Sequence, residues 1–258
     1  MSWRFVLTPK WIVRHLAVLA LVIAMIAAGF WQLRRLDDKR AHKALVEDRQ
    51  EEPAAPVEDL LLQDAAVDDV LYRSVTAVGE YLADDTVVVE NRTFNGASGG
   101  WVLTPLVLSN GDAVLVNRGF IGFDRDGRIV APPPPGGTVR VEGLLFPSQT
   151  RGSFGARDPD VGKLTVLARV DLGRVAAQLD RSLLPAYVQL TESTPPEPAV
   201  PPGAPALVAL GPPVPSEGPH LGYAGQWFTF SVIAAGGYVL LLRRVARDRA
   251  GEEQRAPV

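Results

Sequence analysis

The chain has 258 residues, no cysteine and a formal net charge of −3. That balance offers no basic field for nucleic acid. The missing thiols exclude disulfides, iron–sulfur clusters, zinc–thiolate sites, covalently attached c-type haem and a dithiol copper relay.

The first fifteen residues carry Arg4, Lys10 and Arg14 and read as a short cytoplasmic N-terminus. Leu16 to Trp31 is free of charge and proline. With Leu33 and Leu36 it is long enough to span a bilayer, so a transmembrane helix is expected over 16–36. A secretory signal peptide is the competing reading. The run has no clean small-x-small cleavage site and ends on Arg34 and Arg35, which favours a retained anchor. Residues 37–71 are charged, helical in pattern from Asp37 to Gln50, and then acidic with Pro53 and Pro56; they read as a stalk.

From residue 72 to 194 the texture changes to short runs rich in Val, Leu and Thr, divided by turn signals such as Asn95-Gly96 and Pro135-Gly-Gly137. Asn110-Gly111 between two such runs predicts a hairpin. Asp171 is a candidate N-cap for one short helix to Asp180. Six or seven short strands with little helix predict a small, mostly antiparallel β barrel or sandwich. Residues 195–219 hold ten of the chain's 22 prolines and read as an extended spacer leading back to the membrane.

Leu221 to Leu242 is the second apolar run, which with His220 predicts a transmembrane helix over 220–242. Arg243, Arg244, Arg247 and Arg249 follow at once, so the positive-inside rule puts the tail, 243–258, in the cytoplasm. Two spans then make the central region extracytoplasmic, in a multi-pass protein of a bacterial cell membrane with both termini inside. Arg34, Arg35, Lys39 and Arg40 on the supposed outer side argue weakly the other way, but charge counts matter less on long exported regions.

The stretch from His220 to Phe228 is the most informative part of the chain. At 100° per residue His220, Tyr223, Ala224 and Trp227 share one helix face. A ligand-competent imidazole at a bilayer rim is costly unless it has a partner or a task. At a helix N-terminus the dipole favours the neutral, metal-binding form, and haem iron takes one such imidazole axially. Tyr223, Trp227 and Phe228 could flank a macrocycle, and Gln226 could donate to its polar substituents. The plainer reading makes the aromatics interfacial anchors and His220 a cap. Gly222, Gly225, Thr229 and Gly236 lie on the opposite face, a stripe expected to meet Ala24, Ala27, Ala28 and Gly29 of the first span. Gln32 and Gln226 are expected at similar depth, within reach of an interhelical hydrogen bond. In the central region, Arg118 beside Gly119 could clamp a carboxylate, or stand solvated at a strand end. Asp124 and Asp126 are weak metal evidence. The sequence holds no nucleophile–base set, P-loop, His-Glu-x-x-His or dinucleotide fingerprint, so an enzyme is not expected.

Gly29-Phe-Trp-Gln-Leu-Arg-Arg35 resembles the Gly-x-Trp-Gln-x-x-Arg signature of the Surfeit locus protein 1 family. Gly79-Glu-Tyr81, Val89-Glu-Asn-Arg92, Gly99-Gly-Trp-Val-Leu-Thr-Pro105, Val114-Leu-Val-Asn-Arg-Gly-Phe120 and His220-Leu-Gly-Tyr-Ala-Gly-Gln-Trp-Phe228 resemble its later blocks, in order, across roughly residues 20 to 245. The resemblance implies an assembly factor for haem–copper cytochrome c oxidase that handles haem a and works with subunit I and other assembly factors in the bilayer. It puts the family's histidine on His220, with Tyr223, Gln226 and Trp227 around it, and adds Trp31, Gln32, Arg35, Asn117 and Arg118 as further candidates. A membrane scaffold that never touches haem is the alternative.

Overall fold

The fold was analysed in a computed structural model, which describes residues 4–61, 66–152, 155–201, 204–213 and 215–255. The chain divides into two compact units, residues 1–44 with 215–258, and residues 45–214.

The first unit is a helix pair. After a 3₁₀ turn (Arg4–Leu7), helix α1 runs Pro9–Glu51 and helix α5 runs His220–Arg255. Pro9 opens α1, where its missing N–H costs nothing. Both helices are long and apolar enough to cross a membrane. α1 continues without a break through Asp37–Gln50, the helical part of the expected stalk. The less exposed positions of α1 recur as Trp11, His15, Val18, Val22, Met25, Gly29, Gln32 and Leu36; those of α5 recur as His220, Ala224, Trp227, Ser231, Ala234 and Tyr238. Alternating steps of three and four are the spacing of a coiled-coil seam. Between the seams, Phe228 lies over Gly29, where a Cβ would come within 2.6 Å of the ring. Phe5, Trp11 and Ala246 close the far end. The apolar stretches also expose large side chains, including Leu19, Ile23, Phe30, Val232, Ile233 and Leu240. Lipid is the environment that such a belt requires, and the chain is a membrane protein with two terminal spans around a soluble central domain.

The glycine stripe does not face α1. Added Cβ atoms at Gly222, Gly225 and Gly236 would meet nothing within 4 Å, whereas Ala224 and Ser231 are buried. Close approach comes from Gly29 on α1 and from Ala224 and Ser231 on α5. The seam therefore uses the His220 face, opposite to the expectation.

The second unit is built on a β barrel. Strand β1 (Ala55–Pro56) and two short helices, α2 (Val57–Leu61) and α3 (Val67–Val70), precede strands β2 (Ser74–Tyr81), β3 (Val87–Phe94), β4 (Ala97–Leu108), β5 (Ala113–Gly122) and β6 (Thr138–Pro147). Strand β7 (Val166–Leu167), helix α4 (Leu172–Ala176) and strand β8 (Leu183–Thr194) complete it. The sheet order is β1-β2-β6-β8-β5-β4-β3-β7, and a further β2–β4 pairing closes β2, β6, β8, β5 and β4 into a ring. Only the β5–β8 pair within that ring is parallel. Gly79 permits the closure, since a Cβ there would lie 2.0 Å from the Val107 carbonyl oxygen across the β2–β4 seam.

Side chains alternate across the wall. Val114 and Val116 of β5 and Ala186 and Val188 of β8 fill one core with Leu106, Val139, Val141 and Leu145. Leu115 and Tyr187 join Val87, Val89, Leu103, Leu167 and Val175 in a second core on the other face. Each fully buried aliphatic contributes about 1.5–3 kcal/mol. Val57, Val70 and Leu71, within the expected stalk, belong to the first core. Turns follow their chemistry: Asn95-Gly96 has φ of 48° and 80° at the β3–β4 hairpin, and Gly111 has φ 91° at the β4–β5 hairpin. Asp171 caps α4 by accepting from the Arg174 N–H at 3.0 Å. The helix ends at Ala176, short of Asp180.

Within the domain, the described part of the proline-rich segment is no free spacer. Phe120 and Val208 exchange both backbone hydrogen bonds at 2.8 Å, and the Gln189 side-chain amide donates to the Gly211 carbonyl. Residues 195–201 and 204–213 form a strap along the barrel.

Candidate functional site

Two constellations gather the candidate residues, one in each unit. In the helix pair, His220 begins α5 and its Nδ1 lies 2.8 Å from Gln32 Oε1. An amide oxygen only accepts, so this contact calls for an Nδ1–H donor, the tautomer that leaves Nε2 its lone pair. No described residue hydrogen-bonds Nε2. Gly218, at φ 68°, lies beside that edge of the ring; a Cβ there would sit 3.4 Å from both Cδ2 and Nε2. The Gln32–Gln226 bond expected from depth is absent: Gln226 is exposed, off the seam, and Gln32 is taken by His220. Tyr223 is also exposed. Trp227 is half-buried, edge-on to Phe230 with ring centroids 6.3 Å apart. Phe228 packs edge-on to Phe30 at 5.4 Å. Trp31 and Arg35 are exposed on α1, next to and three residues beyond Gln32.

A second seam histidine behaves differently. His15 Nδ1 lies 2.6 Å from the Tyr238 hydroxyl, and its Nε2 lies 3.1 Å from the Val6 carbonyl. Both nitrogens are used. Gln32 and His15 are 17 residues apart on α1, about 26 Å at 1.5 Å per residue. The two polar pairs thus stand near the opposite rims of a hydrocarbon layer about 30 Å thick. Polar groups are tolerable there when satisfied across the helix pair.

In the β domain, Asn117 and Arg118 are buried. The β4–β5 register steps from Val102 opposite Gly119 to Leu103 opposite Asn117, which leaves Arg118 as the extra residue of a β-bulge. Bulges re-aim side chains. Here Asn117 Oδ1 accepts from the Gly119 N–H at 3.2 Å, and Gly119 sits at φ 143° with the Val208 carbonyl oxygen 2.5 Å from where a Cβ would be. The guanidinium takes Glu197 as a fork, Nε to Oε1 at 2.9 Å and Nη2 to Oε2 at 2.5 Å. It also donates to the carbonyls of Pro132 and Pro133, each at 3.0 Å. Tyr81 stacks beneath it at 5.8 Å; burial, then the Glu197 charge, pushes the Tyr81 phenol well above its usual range, and Arg118 pulls it back only in part. The carboxylate clamp read from the sequence exists, but its carboxylate is the chain's own. No sequence signal paired Arg118 with Glu197 in the proline-rich strap.

A cavity of about 630 Å³ lies between the strap and the 124–133 loop, walled by prolines such as Pro132, Pro133, Pro198 and Pro201. Asp124 at its edge shapes a turn. Its carboxylate accepts the Arg128 and Asp126 N–H groups, the former foremost in holding its pKa below the usual carboxylate range. Among the described residues no group of three or more His, Asp or Glu could hold a bare metal ion.

The sequence model of the SURF1 family matches residues 19–232. The chain belongs to that family. It is 30% identical to an uncharacterised SURF1-like protein of Mycobacterium bovis over 98% of its own length and 91% of the relative's. A SURF1-like protein of Rickettsia felis is 25% identical over 90% of this chain and 97% of the relative. The cytochrome oxidase assembly protein SHY1 of Saccharomyces cerevisiae is 30% identical over 55% of this chain and 40% of the yeast protein. The family blocks divide by role in this structure. Gly79, Tyr81, Arg92, Trp101 and Arg118 build the barrel and its clamp, with Arg92 stacked over Trp101 at 4.5 Å. Gln32 and His220 meet across the helix pair.

Proposed function

We propose that this SURF1-family chain assists assembly of haem–copper cytochrome c oxidase by holding haem a at His220 and delivering it to, or stabilising it in, subunit I. The name of the yeast relative, an oxidase assembly protein, supports the process. The spare Nε2 of His220, left by the Gln32 hydrogen bond, carries the assignment of the site. A lone imidazole suits an iron whose equatorial positions a macrocycle already fills. His220 would hold the iron through its Nε2. Tyr223 and Trp227 would flank the ring, and Gln226, exposed nearby, would donate to its polar substituents. Arg35 would pair a propionate by a charge-assisted bond. When bound, the group supplies redox-active iron for its destination enzyme; the chain's own residues bind, orient and release. The role is non-catalytic.

Arg243, Arg244, Arg247 and Arg249, in the C-terminal part of α5 beyond its apolar run, favour a cytoplasmic C-terminal end, which makes residues 37–219 extracytoplasmic in a bacterial cell membrane and sets the His220 end at the outer leaflet. Docking on subunit I and on other assembly factors then falls to the β domain. The test is the pigment of the full chain co-expressed with haem a synthesis enzymes. A Soret band on the wild type, lost in His220→Ala with membrane insertion intact, is the expected result. Colourless wild-type protein that still co-purifies with an oxidase intermediate replaces this reading with a scaffold that binds no haem.

A further inference from the structure

The two seam histidines meet oxygen acceptors on opposite ring nitrogens, Nε2 in His15 and Nδ1 in His220. In His15 the Val6 carbonyl lies on Nε2 and the Tyr238 hydroxyl on Nδ1. In His220 the Gln32 amide oxygen lies on Nδ1, which favours the Nδ1–H tautomer. Free neutral histidine prefers the proton on Nε2, the state that cannot coordinate through that nitrogen. Something must therefore hold His220 in the other tautomer, and Gln32 is the group placed to do so.

The seam defines its placement. Gln32 lies on the α1 seam between Gly29, covered by the Phe228 ring, and buried Leu36. The hydrogen bond links residues 188 positions apart in sequence, so it exists only when the helices pair in this register. Gly218 acts on the other edge. Its positive φ disfavours any side chain, and a Cβ would lie in van der Waals contact with Cδ2 and Nε2 at 3.4 Å, covering part of the approach to the lone pair.

We infer that Gln32 and Gly218 are positioning residues for His220: Gln32 fixes the Nδ1–H tautomer across the helix pair, and Gly218 keeps the Nε2 edge open to a ligand. The inference rests on His220 being the iron ligand, but its core statement concerns the tautomer and is measurable without haem. An outer partner of this kind orients a ligating histidine and raises its basicity, and losing it costs about 10–100-fold in metal affinity.

The experiment uses the full chain in lipid nanodiscs with ring-¹⁵N histidine. The chain has three histidines, so His220→Ala assigns the resonance. In the wild type the His220 signals should show N–H at Nδ1 and a bare nitrogen at Nε2. Gln32→Leu should move them toward the Nε2–H form; Gln32→Glu, which still accepts, should restore the wild-type pattern. Titration with iron protoporphyrin IX should show about 10–100-fold weaker binding for Gln32→Leu and recovery in Gln32→Glu. Gly218→Ala should weaken binding with the tautomer unchanged. An Nε2–H tautomer in the wild type overturns the inference. So does a Gln32→Leu protein with unchanged tautomer and affinity, or a Gly218→Ala protein that binds as the wild type does. A wild type with bare Nε2 that binds no haem overturns the functional reading instead and leaves the tautomer assignment standing.

Discussion

Glu197→Ala should loosen the strap and destabilise the β domain by a calculable amount. The Arg118 side chain is 0% exposed and that of Glu197 22% exposed. Removing one member of a buried pair costs about 3–5 kcal/mol because the other charge stays buried. Two features lower that figure. Water can reach the space Glu197 leaves, and the Pro132 and Pro133 carbonyls still accept from Nη1 and Nη2. The expected loss is about 2–3 kcal/mol, below the full cost of an orphaned charge. For a domain of this size it corresponds to about 5–10 °C in Tm. Glu197→Gln should fall between, since its amide can accept from only one arm of the fork. The assay is thermal unfolding of the purified full chain in detergent, followed by near-ultraviolet circular dichroism. Limited elastase digestion reads the strap itself, where Ala199, Val200 and Ala204 offer cleavage sites. A Tm shift under about 2 °C in Glu197→Ala, or a digestion pattern like the wild type's, would refute the clamp.

Tyr81 gives a pH-dependent prediction. Its hydroxyl is buried without a hydrogen-bond partner among the described residues, and its folded pKa is raised, chiefly by burial. The unfolded chain releases the phenol proton near pH 10 while the folded chain retains it. The neutral phenol's contribution is therefore complete below about pH 10 and declines as pH rises beyond it. Tyr81→Phe should match or exceed wild-type stability at neutral pH by up to about 1 kcal/mol and flatten the alkaline decline in urea titrations. The slope that remains belongs in part to Tyr187, also raised by burial; an unaltered slope would show that Tyr81 ionises freely in the fold. For the helix pair, Ala224→Leu should cost about 1–3 kcal/mol by overpacking the seam and reduce accumulation in membranes. Gly225→Leu should be tolerated, because nothing lies within 4 Å of its Cβ position. The opposite order of effects would restore the glycine stripe as the contact face.

The spans were legible because lipid imposes a length and a composition that no soluble helix needs. The strands were legible because alternation and Asn-Gly turns are local properties of the chain. His220 was legible too, as an imidazole at a helix start beside a bilayer. The facing of α5 was not. Small residues on one stripe permit close approach but do not compel it, and the choice fell to Gly29, whose bare Cα on the other helix accepts the Phe228 ring. Nor was the partner of Gln32 legible, because Gln226 and His220 are separated by under two turns and only the seam decides between them. The strap was read as a spacer because prolines exclude helix and central strand. That rule is silent on where an extended segment lies. Its place was decided by one bulge in β5, which turns Arg118 toward Glu197, and by one backbone pair at Phe120 and Val208. The sequence by itself determined which segments enter the membrane, which form strands and which histidine begins α5, since each follows from interactions within a few residues. The tertiary structure alone decided which side chains meet. Those pairs join residues dozens to nearly two hundred positions apart, and their geometry exists only after the helices pack and the barrel closes.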